Sequence, residues 1–256
     1  MAFQKKNNTP IFILKQAFMS LVQNHKQIFY MTALPLFFIG LSRLLQVAFP
    51  ALSNPVFSFF TLLDYIFQVV FAVEWIRFLS TRRRHKTILI PQPNRRYFTY
   101  GVLSLGLFFM NSLLMSVLSS VLGMLAGGGV YGLLGLAIVM KISYLFLFAR
   151  LSPAFVGAAN DKPENIPFAW PKTQAYWSKL LGYLLLVQLI VILLNMIVVS
   201  LMILPQLSAQ KLEILRKNPL DLIKMMRAGF WFLQVFAYIG LALEVYGIWF
   251  FNKKKI

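Results

Sequence analysis

Residues 180–204 read LLGYLLLVQLIVILLNMIVVSLMIL, with no charged side chain among them. A helix needs about 20 apolar residues to cross a hydrocarbon core of about 30 Å. Lipid offers no hydrogen-bond partner to a peptide group, so such a segment closes its own backbone bonds as a helix. Five further stretches are long and apolar enough, four of them carrying one to three charged residues: 28–49, 56–79, 98–122, 130–149 and 229–250. The expected fold is therefore all-α, a polytopic transmembrane helical bundle of about six spans. The whole chain, 1–256, makes a single integral membrane domain.

Composition supports this reading. Hydrophobic residues are 59% of the chain and charged residues 12%, against roughly 45–50% apolar in a soluble domain. A soluble core of this size cannot hide that much apolar surface, so lipid must serve as the solvent. The absence of cysteine excludes disulfides, thiolate metal sites and Cys nucleophiles. The N-terminal stretch lacks a small-residue cleavage site after its apolar run, and no cleaved signal peptide is expected.

The formal net charge of +18 raises the question of nucleic acid. The distribution answers it, because the basic residues fall in short loops between apolar runs, as topology and anionic headgroups require. Membrane lipids are the expected partners, with a membrane protein partner also open and nucleic acid excluded. With six spans, 18 of the 25 Lys and Arg residues lie on the side of the termini. Five lie in the last opposite loop, and Arg43 and Lys141 fall inside spans. The positive-inside rule then puts both termini in the cytoplasm. The basic 205–228 loop is the weak point of that count.

Two segments on this side have the pattern of interfacial amphipathic helices. In residues 11–27, Leu14, Ala17, Phe18, Leu21 and Val22 repeat at helical spacing, with Lys15, Gln16, Gln23, Asn24 and Lys26 between them. The second runs from Pro167–Pro171 through Trp170, Thr173 and Trp177. Each precedes a span, which suggests a repeated unit of surface helix plus hairpin. Residues 86–96 contain Pro91 and Pro93 and fit that unit poorly. The tryptophans Trp75, Trp170, Trp177, Trp231 and Trp249 fall near span ends, where an aromatic belt belongs.

The opening QAFMSLVQNHKQIF (16–29) and the stretch ARLSPAFVGAANDKPENIPFAWPKTQAYWSKLLG (149–182) resemble a group of uncharacterised bacterial inner-membrane proteins with six spans. This is the YciC-like type, similar also to the membrane domain fused to some glycerophosphodiester phosphodiesterases. The resemblance rests on Arg150, the Ala169-Trp170 pair, Thr173 and Tyr246. It implies a six-helix inner-membrane protein with no assigned activity and carries over no functional residue. The chain has no phosphodiesterase domain, so no hydrolase activity follows.

Ionisable residues inside spans cost about 2.5–3.5 kcal/mol each on insertion scales, so Arg43, Asp64, Glu74, Lys141 and Glu244 are the candidate intramembrane polar or ion-pair residues. Arg43 and Asp64 sit at similar depth in one hairpin, either as a polar site or as a structural ion pair. Lys141 is expected to pair with Glu74 or Glu244. Glu74 has Arg77 one turn away as its alternative. Span 3 carries a small-residue stripe, Ser112, Ser116, Ser119, Ser120, Gly123 and Gly127, which permits close helix packing. The run Arg82, Arg83, Arg84 and Lys86 is a candidate contact for anionic lipid. No catalytic triad, paired carboxylate, metal set or phosphate loop is recognisable, and no cofactor is expected. These features favour a non-enzymatic membrane protein acting through lipid or protein partners. The alternative is a small-solute transporter or channel using the intramembrane charges.

Overall fold

A computed structural model describes residues 9–48, 53–82, 84–90, 92–126, 130–162, 166–203 and 219–253. Within its helices, the side chains of 43, 44, 46–48, 53–58, 115, 117–126, 130–134, 136, 137, 199, 202, 203 and 219–233 fall outside the description. Among the described residues the chain is helical throughout, with eight helices: α1 (Pro10–Gln23), α2 (His25–Ala48), α3 (Ser53–Thr81), α4 (Arg95–Ala126), α5 (Val130–Ala159), α6 (Ile166–Lys172), α7 (Trp177–Ile203) and α8 (Pro219–Asn252). Five of them, α3, α4, α5, α7 and α8, are long and apolar enough to cross a membrane. The protein is a multi-pass helical membrane protein. The first expected span corresponds to α2, whose 24 residues would extend about 36 Å.

The consecutive helices α2–α3, α4–α5 and α7–α8 pack as pairs. The α8 helix is the hub, touching α7, α3, α1, α5 and α2. Two glycines explain its approach to α7. A Cβ at Gly247 would lie 2.2 Å from the Tyr183 ring, and one at Gly240 would lie 2.7 Å from Val191. The small-residue seam is therefore here. Most of the stripe expected on span 3 lies outside the described side chains. The Tyr183 hydroxyl, seated on Gly247, donates to the Leu243 carbonyl at 2.6 Å.

Several expectations need correction. In α1 the face packed on the bundle is Ile13, Ala17 and Leu21, while Phe18 and Val22 are exposed. Ile13 joins the packed side, where α1 rests on α7 and α8, and exposed Phe18 and Val22 remain compatible with an apolar face turned to lipid. The second amphipathic segment is broken: α6 has seven residues and a turn separates it from α7. Pro171 has no N–H to continue the ladder. Trp75 is fully buried and its indole N–H donates to the Ala242 carbonyl of α8 at 3.1 Å, so it ties two spans rather than serving in a belt. Trp249 is likewise buried. Finally, α8 begins at Pro219, ten residues before the expected span, so Lys224 and Arg227 sit on its backbone. The turns at 50–55 and 123–129 and the 205–228 loop lie partly or largely outside the described residues.

Candidate functional site

The chain leaves α3 at Thr81 and turns at Arg82, whose φ of 58° is left-handed. The Arg82 N–H still donates to the Phe78 carbonyl at 2.8 Å, as at a helix-ending residue. This turn folds the basic run back across the ends of α2 and α3. The His85 N–H donates to Gln27 Oε1 at 2.7 Å, and Gln27 Nε2 donates to the His85 carbonyl at 3.0 Å. The Leu89 N–H donates to the Tyr30 carbonyl at 2.9 Å. Three backbone groups of a proline-bearing loop thereby find partners on α2, which a loop at a membrane surface requires.

Glu74 sits beneath this loop, 4% exposed. Its carboxylate accepts from Arg77 Nη1 at 3.0 and 3.2 Å and from the Tyr97 hydroxyl at 2.7 Å. His85 Nε2 lies 3.4 Å from its other oxygen. One carboxylate thus fixes donors from α3, the loop and α4. A buried carboxylate requires such partners. Of the two expected pairings, Glu74 adopts the one with Arg77.

A cavity of about 580 Å³ opens between the end of α3, the loop and the start of α4. Its ionisable lining is Arg77, Arg84, His85, Lys86, Arg96 and Glu74, with Tyr97 beside them. Arg96 is held by Asp161, Nη2 to Oδ2 at 2.9 Å. Arg84 and Lys86 enter no ion pair among the described residues. With Arg77 paired to Glu74 and Arg96 to Asp161, Arg84 and Lys86 leave an excess of positive charge among the described residues, which suits the cavity to an anion. Of the expected lipid contacts, Arg84 and Lys86 line it, Arg82 is exposed at the turn, and Arg83 lies outside the described residues.

The mid-span residues are arranged differently. Asp64 accepts from Gln68 Nε2 at 2.8 Å and from the Tyr238 hydroxyl of α8 at 3.0 Å. Glu244 accepts from Gln188 of α7. Lys141 is exposed, with its ammonium 5.7 Å from the Tyr144 ring centre. No ion pair within 4 Å joins it to Glu74 or Glu244 among the described residues, but its charge attracts the Glu244 carboxylate across a longer gap. The Arg43 side chain lies outside the described residues. A cavity of about 390 Å³ lies beside Glu244, Gln68, Tyr65 and Tyr144.

A third cluster gathers the motif residues of 149–182. The Arg150 guanidinium lies over the Trp170 ring at 4.3 Å, and the Thr173 hydroxyl donates to the Trp170 and Arg150 carbonyls at 2.9 and 3.3 Å. Thr173 and Ala169 are fully buried. This cluster fastens α6 to α5. Trp170 also meets Phe146 edge-on.

Sequence reading missed Tyr97, Tyr238, Gln27 and the role of His85, since their partners lie 11 to 174 residues away. Comparison with protein-family models, curated proteins and solved structures gave no match.

Proposed function

We propose that this is a non-enzymatic protein of a bacterial inner membrane, with about six spans and both termini in the cytoplasm, that works by binding anionic lipid at its basic end. The observation that carries this reading is the cationic cavity around Arg77, Arg84, Lys86 and Arg96, set where the positive-inside rule puts the cytoplasmic surface. The cytoplasmic leaflet carries the anionic headgroups, and each Lys or Arg near it contributes about 1 kcal/mol of attraction. Taking α2 as the sixth span returns the chain to the side on which it began. The YciC-like resemblance agrees with that count and with the bacterial inner membrane. A membrane protein partner is compatible with the same surface.

Native mass spectrometry of the purified chain tests the reading. Phosphatidylglycerol or cardiolipin should be retained over phosphatidylethanolamine, despite the excess of the latter in the mixture supplied. Retention in proportion to supply would overturn it.

The cavity beside Glu244 favours a second reading, passage of a small solute through the bundle. Solute flux into proteoliposomes that is abolished by Glu244→Gln would establish this reading over the first.

A further inference from the structure

The cationic cavity adjoins an apolar groove. A second cavity of about 460 Å³ runs along the outside of α3 and α4, lined by Ile66, Val69, Val70, Gly101, Val102 and Leu105. It shares Gln92, Asn94 and Tyr97 with the cationic cavity. On α4, Tyr97, Gly101 and Leu105 succeed one another at one-turn spacing and so lie on one face. On α3, Ile66, Val70, Glu74 and Arg77 do the same. Both stripes pass from charged or polar to apolar in the same direction along the bundle. From Tyr97 to Leu105 the drop is about 12 Å, close to the depth of one leaflet's hydrocarbon, about 15 Å.

Gly101 makes the groove. Its carbonyl accepts from the Tyr65 hydroxyl at 3.0 Å, which braces the floor. A Cβ there would stand 3.8 Å from Val69, an ordinary contact, so the backbone admits a side chain and the space beyond it stays open.

We propose that one anionic phospholipid binds across α3 and α4, its phosphate among Arg77, Arg84, Lys86 and Arg96 and one acyl chain in the groove over Gly101. This rests on the lipid-binding reading above and specifies its site. A phosphate neutralises the excess cationic charge of the cavity, and the attached chain has an apolar channel that starts where the charges end. A soluble phosphate fills only the first half, and a zwitterionic lipid adds its own cation to the cavity. Glu74 is a positioning residue, because it fixes Arg77 and Tyr97 at the junction of the two halves.

The test uses the full chain in dodecyl maltoside, with phosphatidylglycerol, phosphatidylcholine and sn-glycerol 3-phosphate as probes and native mass spectrometry as the readout. The variants are Gly101→Leu, which fills the groove, and Gly106→Leu, which makes the same exchange on the same helix where nothing stands within 4 Å. The third is Arg84→Ala with Lys86→Ala. The wild type should hold one phosphatidylglycerol. Gly101→Leu should weaken it about tenfold, the loss of two or so methylene contacts. Gly106→Leu should stay within about twofold, and the double alanine variant should lose at least tenfold. The glycerophosphate should bind far more weakly than the lipid.

If the double variant loses the lipid while Gly101→Leu keeps it, the groove is refuted and the anionic-lipid reading survives. If neither variant changes retention, both fail. Should Gly101→Leu not fold, phosphatidylglycerol with a diazirine near its chain terminus decides the matter on the wild type. Crosslinks at Val69, Val102 or Leu105 support the site, and crosslinks elsewhere refute it.

Discussion

The bundle buries carboxylates in two ways. At the basic end, Glu74 meets Arg77 and His85 together with Tyr97, beside an open cavity. In mid-span, Asp64 meets Gln68 and Tyr238 and Glu244 meets Gln188, all neutral donors. Charge meeting charge next to water is a site that can exchange one partner for an external anion. Acids held by amides and a phenol inside the bundle tie helices together instead, α3 to α8 and α7 to α8. On the lipid-binding proposal, the same residue types serve recognition at one depth and cohesion at another, according to who their partners are.

The largest expected effect follows from removing the ionic hub. Glu74→Ala leaves the Arg77 guanidinium and the Tyr97 hydroxyl without their acceptor. The cost should be about 3 kcal/mol, at the low end for a broken buried pair because Arg77 is 26% exposed. It would appear as a fall in the midpoint of thermal unfolding in detergent. A loss under 1 kcal/mol would place Glu74 with the mid-span acids.

Next comes a packing control that touches neither cluster. Gly247→Ala drives a methyl into the Tyr183 ring and should cost about 2 kcal/mol by overpacking. Pairing it with Tyr183→Leu should recover part of the loss, whereas strict additivity would remove the ring from the explanation.

Asp64→Asn should cost about 1 kcal/mol, one of its two hydrogen bonds being lost. Tyr238→Phe should cost the same, and the double variant less than the sum. A loss of 3 kcal/mol or more from Asp64→Asn would reveal a cation left unpaired in the span and erase the contrast with Glu74. At the small end, Arg82→Gly relieves a left-handed backbone and should raise stability by up to about 1 kcal/mol. Destabilisation there would mean that the Arg82 side chain itself anchors the turn.

The spans were legible because twenty apolar residues in a row admit one structure in lipid; the loop charges supply only the orientation proposed above. The Glu74–Arg77 pair was legible because one turn of helix fixes its spacing. Tyr97, His85 and Tyr238 were not, because their meetings depend on how each helix is rotated about its axis, and an almost wholly apolar span such as α7 leaves that rotation unmarked. The seam at Gly240 and Gly247 stayed hidden for a related reason. Glycine is common in spans, and only the ring of Tyr183 above it shows which one is a seat. The start of α8 was misjudged because Lys224 and Arg227 look like loop residues, yet a helix extends beyond the apolar run that anchors it.

The division between the two clusters is tested most directly by thermal unfolding of the solubilised chain with and without phosphatidylglycerol, at 100 times its dissociation constant. The wild type and Asp64→Asn should both gain about 5 °C or more, and the Arg84→Ala, Lys86→Ala double variant should gain no more than about half of that. An undiminished gain in the double variant, or a gain that Asp64→Asn abolishes, would contradict the assignment of recognition to the basic end.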